Sequence, residues 1–168
     1  MFEIEVLTKK DFKNPQNEHI LSDIASMGIA SIAKVRYSPL YFICGKIRFS
    51  DVKIIASELL IDKITESYVI RRCSDLDVKD VNLKMNSSAS IIEVWYKKGI
   101  TDTVAESVVK AVKDLNINVE VKIKVGHKYY LYSKESQTTL NNNPIKSVIE
   151  LIATKLLANT LVQDCKIR

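Results

Sequence analysis

The stretch Phe2-Glu3-Ile4-Glu5-Val6 has a counterpart 88 positions further along the chain, in Ser90-Ile91-Ile92-Glu93-Val94. Residues 3–43 align with residues 91–131 at this offset without a gap, and nine of the 41 pairs are identical. Two unrelated segments of ordinary composition would share only about two or three. The sequence therefore predicts two copies of one small module.

Local signals predict the same first elements in both copies. In the first copy, the alternating stretch 2–7 predicts a strand, and Asn14-Pro15 is typical of a helix start, with an N-cap followed by proline at the first helical position. Gly28 then fits a helix end in the left-handed region. Its counterpart in the second copy is Asn116, the other residue type that tolerates this conformation. In the second copy, the corresponding helix is expected to begin at Thr101 or Asp102.

The middle of each copy predicts two strands joined by a turn. In the first copy, strands at 32–37 and 41–49 flank Ser38-Pro39-Leu40. In the second copy, strands at 118–125 and 129–132 flank the Gly126-His127-Lys128 hairpin.

The last part of each copy adds a helix and a strand. In the first copy, Ser50-Asp51 is expected to cap the helix, and residues 67–70 form the strand. The order β-α-β-β-α-β is ferredoxin-like. The predicted fold class is α+β, with two ferredoxin-like modules that form an intramolecular pseudo-dimer, because a module of roughly 70 to 80 residues has a marginal core alone.

The module boundaries follow from a change of offset. Leu59-Leu60 matches Leu156-Leu157 at an offset of 97, so the second copy contains nine extra residues, which we place in the polar loop 133–143. Asn143-Pro144 then restarts the helix. We predict one module at 1–71, a linker at 72–89 with a short helix around 77–85, and a second module at 90–168.

Composition excludes several classes of protein. The chain is 46% hydrophobic and 27% charged, and no apolar run approaches the ~18 residues of a membrane span. The net charge of +5 divides into +1 for residues 1–71, 0 for 72–89 and +4 for 90–168, without a basic block. A cytoplasmic protein that binds neither membranes nor nucleic acid is expected.

The residues of chemical interest form no recognisable active site. Four glycines cannot supply a P-loop or a dinucleotide fingerprint, and three scattered cysteines give no metal-ligand spacing. Asp and Glu are interpreted as spread along exposed helix faces, and His127 as a solvated turn residue. The sequence predicts no catalytic residues, no metal site and no cofactor.

Two paired features have alternative interpretations. Lys9-Lys10 and Lys97-Lys98 each lie just before a helix N-terminus, where they could hold a phosphate or carboxylate or could be solvated strand ends. The tyrosines at 129, 130 and 132 could stack on RNA, but the stretch lacks the order of an RRM signature, and packing residues are favoured.

Several motifs resemble PurS, the small subunit of phosphoribosylformylglycinamidine (FGAM) synthase. The stretch 10–16, KDFKNPQ, is similar to the family's K-x-G-V-x-D-P-x-G, and Val35-Arg36 and residues 123–128, IKVGHK, resemble its V-R-x-G-K. Residues 155–167, KLLANTLVQDCKI, are similar to L-L-A-N-P-V-I-E-D-Y-x-I. Both copies resemble PurS, over about 3–70 and 91–167. Departures include Asp11 in place of glycine and Thr160 in place of proline.

The resemblance implies a structural role. PurS-like subunits form dimers that join the synthetase subunit PurL to the glutaminase subunit PurQ, in a complex that uses ATP and glutamine in purine biosynthesis. A tandem PurS would be that dimer fused in one chain, monomeric alone, with no active site and with ATP, Mg and glutamine used by its partners. The residues expected to contact a partner or phosphate are Lys9, Lys10, Lys97, Lys98, Arg36, Lys124 and Lys128.

Two other functions remain open at this point. A tandem regulatory module of the ACT type has the same element order and binds an amino acid or small metabolite between modules. It would need a glycine-rich loop after the first strand, where this chain has residues 9–13, KKDFK, and only Gly99 in the second copy. A small RNA-binding protein would need a basic sheet face with interleaved aromatics.

Overall fold

The structure, a computed structural model, describes residues 1–72, 89–134 and 143–168, with side chains from residue 146 onward in the last range. Each copy runs strand, helix, long strand, helix, strand. The first copy contains β1 (Phe2–Thr8), α1 (Pro15–Ser26), β2 (Ile32–Gly45), α2 (Phe49–Ile55) and β3 (Glu66–Arg72). The second contains β4 (Ala89–Tyr96), α3 (Thr103–Asp114), β5 (Val121–Ser133), α4 (Asn143–Ile152) and β6 (Gln163–Ile167).

The fold class is α+β, as predicted, with a six-stranded sheet in the order β3-β1-β2-β5-β4-β6. The outer pairs repeat the same register. Ile4 lies opposite Ile70 in the antiparallel pair of β1 and β3, and Ile92 lies opposite Ile167 in that of β4 and β6. These residues are counterparts at the offsets of 88 and 97 found in the sequence. Each last strand therefore pairs with the first strand of its own copy.

The middle strands correct one prediction. Both expected turns, at Ser38-Pro39-Leu40 and at Gly126-His127-Lys128, are absent, because β2 and β5 continue through them. Pro39 lies one residue beyond the register of β1 with β2, which ends at Leu40, so its missing N–H interrupts no bond to β1. Gly126 is buried in β5 and does not adopt a positive φ, so the turn that its glycine suggested does not form.

The described residues divide into two compact units, each built from both copies. The first unit contains residues 1–13, 38–72 and 101–126, and the second contains 14–37, 89–100, 127–134 and 143–168. Each long strand gives one segment to each unit, which restores a β-α-β-β-α-β-like pattern. The sequence boundaries at 71/72 and 89/90 describe the repeat and stay a prediction, whereas the units follow the packing.

The apolar core of the first unit combines α3 of the second copy with β1, α2 and β3 of the first. Ile4, Val52 and Ile55 are fully buried there, and Val112 of α3 packs in the same cluster. Tyr41 also packs against it, and burial raises the pKa of its phenol, with the charges of Glu66 and Asp102 adding to the effect.

The core of the second unit mirrors this arrangement. Ile24 of α1 packs with Ile92 of β4, Leu131 of β5 and Ile152 of α4, all at most 1% exposed. The first helix of each copy thus belongs to the unit that holds the outer strands of the other copy.

Helix ends agree with the sequence in four places and differ in one. Asn14 accepts a hydrogen bond from the Gln16 amide, and Asp102 accepts one from the Ala105 amide, as their N-cap positions predict. Gly28 (φ 78°) and Asn116 (φ 57°) both adopt the left-handed conformation after α1 and α3.

The start of α2 differs from its prediction. The helix begins at Phe49 after Arg48, which makes no side-chain cap bond, so the cap predicted at Ser50-Asp51 is wrong. The Asp51 carboxylate instead accepts bonds from the Arg48 guanidinium, at 3.0 and 3.2 Å.

The second helix of each copy ends in a π-helical turn, which is Ala56–Leu60 after α2 and Ala153–Leu157 after α4. These turns are counterparts at the offset of 97. A single π turn is uncommon and often lies next to a functional segment. The helix predicted at 77–85 lies outside the described residues, as do residues 135–142 of the loop predicted at 133–143. The two ends of that loop belong to regular elements, Ser133 to β5 and Asn143 to α4. In the part of the chain that is described, no helix is both long and apolar enough to cross a membrane.

Candidate functional site

The first lysine of each predicted pair fastens a loop. The Lys9 Nζ donates to the carbonyl oxygens of Lys63 (2.6 Å) and Ile64 (3.1 Å), while its backbone N–H donates to Thr65 O at 2.9 Å. In the second copy, the Lys97 Nζ donates to Thr160 O at 2.6 Å. Both amines are therefore engaged with backbone carbonyls, so each lysine holds the loop that follows the π-helical turn.

We call the two loops that these lysines hold, residues 62–66 and 159–163, the clamped loops. In the first loop, the Asp62 carboxylate accepts hydrogen bonds from the amides of Ile64 (2.7 Å) and Thr65 (3.1 Å). The Glu66 carboxylate accepts one from the Asp62 amide at 2.9 Å. These two backbone bonds, helped by the Lys9 charge, lower the pKa of Asp62 below its usual value. The loop is thus closed at both ends by side chains.

The second clamped loop repeats two of these three bonds with neutral side chains. Asn159 Oδ1 accepts the Leu161 amide at 3.1 Å, and Gln163 Oε1 accepts the Asn159 amide at 2.9 Å. Asn159 and Gln163 are the counterparts of Asp62 and Glu66. The two loops therefore share this bonding geometry, but the second lacks the carboxylate charges of the first.

The second lysines, Lys10 and Lys98, are exposed, and so is Lys124 on β5. Lys10 and Lys124 belong to the first unit and Lys98 to the second. Each unit thus contains at least one of these exposed cations.

Arg36 and Lys128 lie in a polar cluster of the second unit. The Arg36 guanidinium carbon lies 3.9 Å from the centre of the Tyr130 ring, and the Lys128 Nζ lies 5.5 Å from it. Lys128 is buried, with its Nζ 3.5 Å from Glu93 Oε1, and Arg168 Nη2 lies 3.6 Å from the other carboxylate oxygen. The sequence placed Lys128 in a solvated hairpin, and that expectation is wrong because β5 is continuous.

His127 is likewise not a solvated turn residue. It is half-buried on β5, with Nδ1 2.9 Å from the Tyr37 hydroxyl. Its ring stacks on that of Tyr37, and Tyr37 in turn contacts the ring of Tyr129 at 5.4 Å between centroids. Burial raises the pKa of Tyr129 well above its usual value. Tyr129 and Tyr130 are buried, which confirms their interpretation as packing residues.

Sequence reasoning missed the buried carboxylates. Glu3 and Glu5 of β1 are buried, and both accept hydrogen bonds from Arg71 Nη1, at 2.7 and 2.9 Å. Burial opposes the Arg71 charge, but Glu5 and Glu3 outweigh it and raise the pKa of the guanidinium. The prediction that acidic residues lie only on exposed helix faces is wrong. The repeat contained the signal, because Glu5 and Glu93 are identical counterparts inside apolar strands.

The geometry assembles two loops that are closed by hydrogen bonds. Within residues 1–72, 89–134 and 143–168, no group of three or more His, Cys, Asp or Glu side chains could hold a metal ion. The predicted cations do not form one site: Lys9 and Lys97 hold loops, Arg36 and Lys128 lie in the polar cluster, and Lys10, Lys98 and Lys124 are exposed. Such an arrangement can present fixed surface features to a partner.

Comparison with known proteins gives a match for the second copy. Residues 89–168 match the PurS family model, described as phosphoribosylformylglycinamidine (FGAM) synthase. A search of curated proteins finds no match. The matched range contains β4 to β6 and the second clamped loop, that is, one complete copy of the repeat. The resemblance to PurS is thereby confirmed for residues 89–168, which make up slightly less than half of the chain.

Proposed function

We propose that this chain is a fused PurS dimer, a non-catalytic structural subunit of FGAM synthase that bridges the PurL-type synthetase and the PurQ-type glutaminase in purine biosynthesis. The observation that carries the proposal is the PurS match over one whole copy of the repeat. ATP, Mg and glutamine are then used by the partner subunits, and the chain acts in the cytoplasm.

The first copy supports the fused-dimer part of this proposal. It shares with the matched copy the lysine clamp, the closed loop, the π-helical turn and the register of its outer strands. It therefore supplies the second PurS-like half that a homodimer would obtain from another subunit. The chain alone is expected to be a monomer by light scattering.

Reconstitution tests the bridging role. FGAM synthase activity is measured with purified PurL-type and PurQ-type subunits, with and without this chain, using either glutamine or ammonia as the nitrogen donor. A bridge is needed only to deliver nitrogen from the glutaminase, so omission should lower the glutamine-dependent rate and spare the ammonia-dependent one. Full glutamine-dependent activity without the chain would refute the proposal.

A further inference from the structure

Both clamped loops expose a large apolar side chain at the same position. Ile64 is 73% exposed and its counterpart Leu161 is 83% exposed. In the turn that precedes each first helix, Phe12 and its counterpart Ile100 are both 41% exposed. The copies share only nine of 41 aligned residues in their first parts, so exposed positions had ample opportunity to become polar. Single exposed apolar residues are common, but their recurrence at equivalent positions of both copies favours a binding surface.

The clamp lysines join each turn to its loop. The Phe12 amide donates to Lys9 O at 3.1 Å, while the Lys9 amine donates to Ile64 O at 3.1 Å. The Ile100 amide likewise donates to Lys97 O at 3.1 Å, and Lys97 holds the second clamped loop. The backbone that carries the apolar tips, Ile64 and Leu161, is thus held in place before binding, which lowers the entropy cost of ordering it in a complex.

We propose that the two clamped loops are twin docking points, each of which inserts its apolar tip into a concave apolar recess of a larger enzyme subunit. The inference rests on the bridging function proposed above. A recess fits better than a second copy of this chain, because two convex tips in contact would bury far less than the roughly 800 Å² per partner of a stable interface. The exposed Lys10 and Lys98 beside the turns call for carboxylates at the rim of the recess.

The two docking points differ in charge and therefore fit different partners. The first clamped loop contains Asp62, Lys63 and Glu66, whereas the second has uncharged residues at these positions. Charge at the rim of an interface selects partners more than it adds affinity. We infer that each loop serves one of the two subunits that the chain joins.

Serine variants of the full-length chain test the inference. Ile64→Ser and Leu161→Ser remove the tips one at a time, and Val104→Ser is the control. Val104 is also exposed, at 51%, but its counterpart is the polar Gln16, so this position is not kept apolar. Dissociation constants for the purified PurL-type and PurQ-type subunits are measured by calorimetry, and thermal unfolding checks that each variant is folded.

Each tip variant should weaken binding to one subunit by about tenfold or more, as expected for a central apolar anchor, while V104S binds like the wild type. If the wild type assembles and both tip variants bind as tightly as it does, the docking inference is overturned and the bridging function stands. If the wild type binds neither subunit, the bridging function fails and the docking inference falls with it. Self-association of the wild type that I64S abolishes would make a second copy the occupant and would also overturn the inference.

Discussion

Arg71 and Arg168 occupy equivalent positions in the two copies, yet their replacement by methionine should have very different effects on stability. Arg71 Nη1 lies 2.7 Å from Glu3 and 2.9 Å from Glu5, and the two carboxylates are 6% and 0% exposed. Arg168 lies 3.6 Å from Glu93 and is 40% exposed. In addition, Glu93 keeps a second cation, Lys128, at 3.5 Å.

The magnitudes follow from distance and solvent screening. With an effective dielectric constant of about 20, the attraction between two charges 2.7 Å apart is about 6 kcal/mol. The cost of removing the guanidinium from water offsets part of this attraction. Removing one partner of such a buried pair typically costs about 3–5 kcal/mol, because the carboxylates stay buried. Because Arg168 is 40% exposed, solvent screens its charge, and with an effective dielectric constant of about 80 the interaction at 3.6 Å is only about 1 kcal/mol.

We therefore expect R71M to lower the free energy of unfolding by about 3–5 kcal/mol and R168M by about 1 kcal/mol or less. Urea unfolding at pH 7 and 25 °C, followed by far-ultraviolet circular dichroism and by Trp95 fluorescence, measures both values. The double variant E3Q/R71M should recover part of the loss, since it also removes the charge of one of the two buried carboxylates that bond to Arg71. Equal losses for R71M and R168M would refute the reasoning, because burial and distance would then have no effect.

Three further predictions concern single positions. Gly28→Ala should lower the free energy of unfolding by about 1–2 kcal/mol, because φ is 78°. The added Cβ would meet nothing within 4 Å, so this loss reports the backbone conformation alone. Gly28→Asn, which copies Asn116, should cost less in the same urea titration. Gly45→Ala should be worse than Gly28→Ala, because its Cβ would lie 2.6 Å from Glu120 O, and an equal thermal midpoint for the two variants would contradict that contact. The Asp62 carboxylate has a lowered pKa, so its stabilising effect is present above the usual value of 3.8 and is lost as the pH falls through the lower folded value. The thermal midpoint of the wild type should accordingly exceed that of D62N at pH 6, and the difference should shrink below pH 3.8; a difference that grows in acid would exclude this role.

Local sequence signals determined the parts of the fold that depend on neighbouring residues. Asn14, Asp102, Gly28 and Asn116 were placed correctly because a cap or a left-handed residue is decided within one turn of backbone. The repeat offsets of 88 and 97 also predicted which residues correspond, and the strand register and both π-helical turns follow these offsets. The positions of the clamp lysines were found as well, although their bonds were not.

Only the tertiary structure decided which elements share a core and which charges are buried. The turn signals at Ser38-Pro39 and Gly126 were overruled because the long strands β2 and β5 gain more from continuing through the sheet than a local turn could provide. The placement of α1 and α3 in the two units is likewise not predicted by the sequence, since an apolar stripe indicates that a helix packs on a core but not on which one. Burial of Glu3, Glu5 and Lys128 depends on partners that lie far away in the chain, and no local pattern specifies such pairings.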